Sequence, residues 1–191
     1  KYTLMGIAAA VLLLIALALI WAIMAYNGLI SGRILADEAW SGISVQLKRR
    51  FDLIPNLVAT VKGYAKHETD TLEKVIQARN AAVYASPLDV TAQAQASAAL
   101  SQNLRGVFAL AENYPELKAS QPFIELQTAV EEIEDHLQNS RRYYNATVRD
   151  YNTKCEQFPS SLIAGFFKFS VKTFFQLENP EESQNIKISF R

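Results

Sequence analysis

The sequence is poor in the residues that build metal and redox centres and in those that interrupt helices. Among 191 residues there are one cysteine, two histidines, seven glycines and six prolines. A lone cysteine, Cys155, excludes an internal disulfide and CxxC chemistry, and we interpret its thiol as a core side chain. The shortage of glycine and proline favours helices.

Net charge and chemical motifs are also missing. Nineteen basic residues balance nineteen acidic residues, so the basic face expected of a nucleic-acid-binding protein is absent. A di-iron helical bundle needs a glutamate three residues before a histidine, but Tyr64 precedes His67 and Ile133 precedes His136. The sequence contains no GxSxG and no glycine-rich phosphate loop. We therefore expect no catalytic residue, no metal, no cofactor and no nucleic-acid partner.

The N-terminal segment carries a long run without charge. No charged side chain lies between Lys1 and Arg33, and the most apolar part extends from Leu4 to Ala25. About 20 apolar residues cross a bilayer as a helix, whereas the apolar region of a signal peptide has about 7–15. Residues 1–32 are therefore predicted to form an uncleaved transmembrane helix and a juxtamembrane bend, with a membrane anchor made of Leu4, Ile7, Val11, Leu14, Leu17, Ile20, Trp21 and Met24.

Apolar residues recur at steps of three and four from Trp40 to Phe158, as in helices that bury one side. The first stripe continues on both sides of His67–Asp70 and ends before Ser86–Asp89. It consists of Ile43, Leu47, Phe51, Ile54, Val58, Val61, Ala65, Leu72, Val75, Ile76, Arg79 and Val83.

Two further helices complete the predicted all-α bundle. One covers about Val90–Asn113 and precedes a turn at Tyr114–Pro122. The other begins after Ser120, whose hydroxyl is a suitable cap. Its stripe consists of Phe123, Leu126, Val130, Ile133, Leu137, Tyr144, Val148, Tyr151, Cys155 and Phe158. Residues 33–158 are thus predicted to form an antiparallel bundle of about three to four long helices.

A proline lies inside the first of these helices. Because the stripe keeps its phase on both sides of Pro55, a kink within one helix is favoured, with Asp52 accepting backbone hydrogen bonds. The alternative is a functional polar cluster formed with Arg49, Arg50 and Asn56.

The C-terminal residues 159–191 form an irregular aromatic tail. Its phenylalanines must be covered by the bundle, by another subunit or by lipid, because so many exposed aromatic rings are unfavourable in water. The last residues, NIKISFR, alternate as in an extended segment. The candidate assembly or lipid contacts are Phe166, Phe167, Phe169, Phe174 and Phe175.

Three ordered blocks resemble the LemA family of bacterial membrane proteins. They are WSGISVQLKRRFDLIPNLVATVKGYAKHETDTLEKVIQAR, YPELKASQPFIELQ and RRYYNATVRDYNTKCEQFPSSLIAGFFKF, and an N-terminal membrane helix precedes them. The resemblance implies a helical bundle anchored by one N-terminal helix in the bacterial plasma (inner) membrane. It implies no reaction, and relatives in magnetosome membranes suggest a role in membrane organisation.

The same resemblance supplies a candidate polar cluster, which facing helices would either bring together or leave at different heights. The matched positions are Arg50, Asp52 and Asn56 in the first block and Arg142, Tyr144, Asn145 and Asn152 in the last. The segment EEIEDHLQNSRR departs from the acidic-Asn/Asp-Arg-Ile turn common in the family, so no role of that turn carries over.

The sequence also supports expectations about the side of the membrane on which the bundle lies and about its function. Arg33, Lys48, Arg49 and Arg50 follow the apolar run and Lys1 precedes it, which by a narrow margin favours a cytoplasmic bundle. We expect a non-enzymatic scaffold that contacts the lipid bilayer and forms homo-oligomers. The alternative is an anchored adaptor for another membrane protein, such as a peptidase.

Overall fold

The computed structural model describes residues 2–176, with side chains from Met5 onward. The helices in this part of the chain are α1 (Tyr2–Tyr64), α2 (Thr69–Tyr84), α3 (Val90–Ala111), α4 (Pro115–Lys118), α5 (Gln121–Glu156) and α6 (Ser160–Phe166), and the same residues form no strand. The predicted all-α class, with an apolar N-terminal helix followed by long helices, is confirmed. The predicted extended segment NIKISFR lies outside the described residues.

The chain divides into two compact units. Among the described residues, unit 1 comprises residues 2–43 and 138–174, and unit 2 comprises residues 44–137 and 175–176. These boundaries differ from the predicted ranges 1–32, 33–158 and 159–191, because α1 and α5 each contribute residues to both units. The aromatic residues of the tail up to Phe174 belong to the same unit as the apolar part of α1.

The apolar part of α1 has the properties expected of a membrane anchor. Within the described residues one helix, α1, is long and apolar enough to span a membrane, and none of its most apolar window is buried in the protein. Leu4 belongs to α1, but its side chain lies outside the described ones. The other predicted anchor residues are all exposed: Ile7, Val11, Leu14, Leu17, Ile20, Trp21 and Met24.

In unit 1, α1 and α5 pack antiparallel. The ammonium of Lys154 lies 3.5 Å from the carbonyl oxygen of Gly28, and the rings of Trp40 and Tyr144 are 5.4 Å apart. A Cβ atom at Gly32 would lie 3.3 Å from the Tyr151 ring, so glycine permits the close helix approach. No helix break occurs at the predicted juxtamembrane bend, since α1 continues without interruption to Tyr64.

In unit 2, α2 and α3 form a helical hairpin. Asp89 caps α3 by accepting a hydrogen bond from the backbone of Ala92 at 2.9 Å. The buried Gln93 side chain donates to the carbonyls of Ala82 and Ala85 at the end of α2. The start of α3 is thereby tied to the last turn of α2, which fixes the two helices as antiparallel neighbours.

The stripe predictions are correct for most core positions and wrong for a few. Leu57 is fully buried where Val58 was expected, while Ile76, Val83 and Phe158 are exposed. Leu57 and Val58 flank the same helical face, so periodicity alone does not decide between them. Phe158 is exposed because α5 ends at Glu156, before the stripe does.

Two short helices replace predicted irregular segments. The expected turn at Tyr114–Pro122 contains α4, which begins with Pro115 at its first position and buries Leu117. The expected irregular tail begins with α6. Both helices are too short to show a helical period in the sequence, which explains why the prediction missed them.

Pro55 lies inside α1, and a side chain of α2 supplies the hydrogen bond that the proline removes. Proline has no backbone N–H, so the carbonyl of Phe51, four residues earlier, lacks its helical donor. The guanidinium of Arg79 lies on α2 and donates to that carbonyl through Nε at 3.4 Å. The helix therefore tolerates the proline because a neighbouring helix replaces the missing bond. Asp52 instead accepts from Lys48 at 2.9 Å, so the expected backbone cap is not formed.

Arg79 should stabilise the fold only while residue 55 is proline. We expect Arg79→Gln to lower the free energy of unfolding by about 1 kcal/mol in the native sequence, because the Phe51 carbonyl loses its donor. In a Pro55→Ala background the restored N–H serves that carbonyl, and the loss should fall to less than half. A double-mutant cycle by chemical denaturation measures this coupling, and equal losses in both backgrounds would contradict it.

Candidate functional site

A buried arginine lies at the meeting point of three helices in unit 2. Arg50 of α1 has a side chain that is 1% exposed. It donates to the hydroxyl of Ser97 at 3.4 Å and to that of Ser101 at 2.6 Å, both on α3. Its guanidinium also lies 3.3 Å from the carboxylate of Glu134 on α5, which is 41% exposed. One cation thus bonds to side chains of two further helices.

The position of Arg50 in the sequence explains its burial. It lies between Leu47 and Ile54 on the stripe that faces the core, unlike its exposed neighbours Lys48 and Arg49. A buried charge is unfavourable unless it is paired and hydrogen-bonded, and Glu134 provides the pairing. We interpret this arrangement as structural, since Arg50 is enclosed and does not line a surface.

The two remaining first-block members of the predicted polar cluster do not join Arg50. Asp52 is exposed and forms its ion pair with Lys48. Asn56 is also exposed, and its backbone carbonyl accepts from the hydroxyl of Thr60. Both side chains therefore point away from the core that encloses Arg50.

In unit 1 the last block has a different role, because α5 holds an extended segment that we call the strap, residues 169–173. The side-chain amide of Asn152 donates to the carbonyl of Lys172 and accepts from its N–H, each at 2.8 Å. The phenol of Tyr144 donates to the carbonyl of Thr173 at 2.9 Å, and that of Tyr151 to the carbonyl of Ser170 at 3.0 Å. Side chains of α5 thus serve the backbone groups of a segment that lacks regular structure.

Burial raises the pKa of both phenols and so extends the pH range over which they are protonated. It raises the pKa of Tyr144 to about 12, and the nearby Asp37 carboxylate acts in the same direction. Burial likewise raises the pKa of Tyr151 to about 12, with a hydrogen bond to Cys155 as the next largest cause. Both hydroxyls therefore stay protonated, and can donate to the strap, at alkaline pH values where an exposed tyrosine would ionise.

The strap is also tied to α1 through charge. The ammonium of Lys172 lies 2.6 Å from the carboxylate of Asp37, and the guanidinium of Arg33 lies 5.4 Å from the Phe169 ring centre. Neither pair was predicted from the sequence. The burial of Tyr151 was predicted by its place on the α5 stripe, but the path of residues 169–173 follows no periodic pattern.

A helix-terminating motif directs the strap back along α5. The N–H of Phe169 bonds to the carbonyl of Ala164 and the N–H of Lys168 to that of Gly165, which is the Schellman arrangement. Lys168 has φ 56°, the left-handed conformation that this motif requires. Ala164 and Phe169 lie in one apolar cluster with Leu29.

The five aromatic candidates fall into different environments. Phe167 and Phe169 contact the ring of Tyr26 at centre distances of 4.7 and 5.7 Å. Phe166 is exposed, Phe174 is half-buried and Phe175 is buried. The rings that were grouped in the sequence therefore divide between core packing and surface.

The other last-block members of the polar cluster vary in burial. Arg142 is exposed and Asn145 is half-buried on α5, beside Tyr144. The seven predicted residues divide between the two units, and Tyr144 and Asn152 share the strap as their partner.

Unit 2 also carries a surface groove between α1 and α2, with a volume of about 380 Å³. It is mainly apolar, and its lining residues are Ile54, Pro55, Val58, Ala59, Lys62, Ile76, Arg79 and Asn80. Among the described residues, no three or more His, Cys, Asp or Glu side chains are grouped to hold a metal ion.

Loss of the Asn152 amide should release the strap. Asn152→Ala removes both bonds to Lys172, and an unmet backbone group costs about 1–3 kcal/mol where it is shielded from water. We expect faster tryptic cleavage after Lys168 in the full chain. Thr153→Ala, an exposed neighbour that bonds only within its own helix, is the matched control. Equal cleavage rates in the two variants would contradict the role of Asn152.

Glu134, the carboxylate beside Arg50, should contribute more to the stability of the fold than the neighbouring carboxylates. Glu134→Gln removes the carboxylate that lies against a buried guanidinium, so we expect a loss of about 1–3 kcal/mol in the free energy of unfolding. Glu132→Gln, two residues away and exposed, should change it by less than about 0.5 kcal/mol. Denaturant unfolding measures both, and similar small losses would show that the pair adds nothing to stability.

Comparison with known proteins agrees with the resemblance in the sequence. The LemA family profile matches residues 39–190. The chain is also similar to Protein LemA of Metamycoplasma hominis, at 27% identity over 129 residues. That alignment covers 67% of this chain and 58% of the relative, so the chain matches a little over half of that protein's length. The matched family profile covers most of the chain, which therefore belongs to the LemA family.

Proposed function

We propose that this chain is a non-enzymatic, membrane-anchored helical scaffold that assembles with copies of itself. Its place would be the bacterial plasma (inner) membrane, with a role in membrane organisation. The apolar part of α1 supports the anchor, being long enough to span a bilayer and exposed along its length. The narrow excess of cations after that segment favours a cytoplasmic bundle.

Segregated charge on unit 2 is the observation that carries the assembly proposal. Residues 121–137 of α5 contain five carboxylates and no lysine or arginine. Glu125, Glu131, Glu132 and Asp135 are exposed and lie on one face, within about a third of the helical circumference. Because the chain has zero net charge, the acid on this segment leaves an excess of basic residues in the rest of the chain.

The complementary basic face is on α1. In the part of α1 that belongs to unit 2, Lys48, Arg49 and Lys62 are exposed, against a single exposed carboxylate, Asp52. Faces of opposite sign on one chain favour a heterologous contact, in which the acidic face of one copy meets the basic face of the next. Such contacts repeat along a ring or an array, which suits a scaffold. They weaken as salt increases, because exposed charges are screened.

A second candidate function is an anchored adaptor for another membrane protein, such as a peptidase. The α1–α2 groove of unit 2 favours it, because apolar grooves between helices accept an amphipathic helix of a partner. A partner that co-purifies at fixed stoichiometry after crosslinking, in place of a homo-oligomer, would favour this candidate.

Charge reversal tests the assembly directly. We expect Glu132→Lys with Asp135→Lys to reduce the particle mass of the full chain in mild detergent, measured by light scattering. Arg49→Glu with Lys62→Glu should do the same on the opposite face. Mixing the two variants should restore the large particle, because each then meets its complement.

Two controls keep this experiment interpretable. Arg105→Glu reverses an exposed charge on α3, a helix that contributes to neither face, and should leave the mass unchanged. Circular dichroism establishes that each variant keeps its helices. A native chain that is monomeric in detergent and in lipid would overturn the scaffold proposal, and unchanged mass in both charge variants would overturn the charged interface.

A further inference from the structure

We propose that α6 and the turn before it form a shallow lipid contact, in which Phe158, Leu162 and Phe166 insert among the lipids where α1 leaves the bilayer. This inference rests on the membrane anchor of the proposed function. It assigns the exposed apolar surface of unit 1 to lipid.

The position of α6 along α1 supports this assignment. Tyr26 is the first residue after the apolar run, and its ring contacts Phe167, which directly follows α6. One turn further, Leu29 is buried in a cluster with Ala164 of α6. At 1.5 Å per residue, these contacts hold α6 within about 6 Å, along α1, of the end of the apolar run. That height corresponds to the interfacial zone of a bilayer.

The outward face of α6 is apolar. Leu162 and Phe166 lie four residues apart on α6 and are 62% and 79% exposed, and Phe158, in the turn before the helix, is 75% exposed. The opposite face supplies Ala164 and Ile163 to the core. A helix with one face packed on protein and large apolar side chains on the other has the amphipathic form of an interfacial segment.

Cations lie close to this apolar face in the sequence and on the facing part of α1. The segment 151–172 contains three lysines and one carboxylate, Glu156. Lys168 follows α6 and is exposed, and Lys154 reaches the carbonyl of Gly28 on α1. Arg33 lies over the Phe169 ring. Basic side chains beside inserted phenylalanines match the anionic headgroups of a bilayer surface.

Lipid is favoured over a second copy of the chain by the size of the patch. A stable protein interface uses about 20–30 residues on each side, whereas α6 and the turn before it present three large apolar side chains. A short row is sufficient at a membrane, because the anchor already holds the segment at the bilayer. The patch also borders the exposed apolar surface of α1 in the same unit.

Depth-dependent fluorescence quenching tests the contact in the full chain. The chain carries Cys155→Ala and Phe166→Cys, labelled with an environment-sensitive dye, in vesicles of phosphatidylcholine and phosphatidylglycerol. We expect loss of most of the emission with lipids that carry a quencher near the headgroup, a smaller loss with quenchers near the chain ends, and little loss with aqueous iodide. Leu162→Cys, on the same face, should give the same order.

Two labelled controls separate the outcomes. Leu17→Cys lies in the anchor and should respond to the deep quencher, whereas Asn139→Cys is exposed on α5 and should respond to iodide. If Leu17→Cys responds only to iodide, the anchor itself is wrong. If Leu17→Cys behaves as expected but Phe166→Cys responds to iodide, the lipid contact is wrong. Protection of Phe166→Cys from both kinds of quencher would assign the patch to a second copy and overturn the proposal.

Discussion

The structure depends on one change along α1, from a helix that is apolar on every side to a helix that is apolar on one side. Up to Ala25 the exposed side chains are suited to lipid, and from Leu29 onward the buried residues recur at steps of three and four. A one-sided stripe must be covered, and α5 covers it in unit 1 at the level of Gly32, where no side chain intervenes. Because α1 is unbroken, the segment that leaves the apolar run is the same helix that organises the packed residues of unit 1.

Irregular parts of the chain are stabilised by side chains that replace missing backbone partners. Asn152 serves both backbone groups of Lys172, and Arg79 serves the Phe51 carbonyl that Pro55 leaves without a donor. Arg50 is a charged example of the same effect, because two hydroxyls and a carboxylate compensate for the burial of its guanidinium. In each case a polar group that would be unfavourable alone is satisfied by a neighbouring element.

The long helices were predictable, whereas the contacts of irregular segments were not. Periodicity located the buried Tyr144 and Tyr151, but it contained no information on which backbone their hydroxyls would meet. Arg50 had a usable signal, since it lies on the stripe between Leu47 and Ile54, and a serine pair four residues apart, Ser97 and Ser101, marks the facing helix. The seven-residue α6 had no such signal in the sequence. Tyr26 and Leu29, which pack near it, come close to it only in the folded chain.

In the proposed function, the anchor and the packed residues of unit 1 belong to one helix that carries the scaffold at the membrane. The most direct measurement of that claim is hydrogen–deuterium exchange of the full chain in lipid bilayers, followed at the amides of residues 26–43. The account predicts slow exchange throughout, including Gly28 and Gly32, because every amide there is part of α1. Exchange at Gly28–Gly32 as fast as in an unstructured peptide would contradict it, since the anchor and the packed helix would then be separate segments.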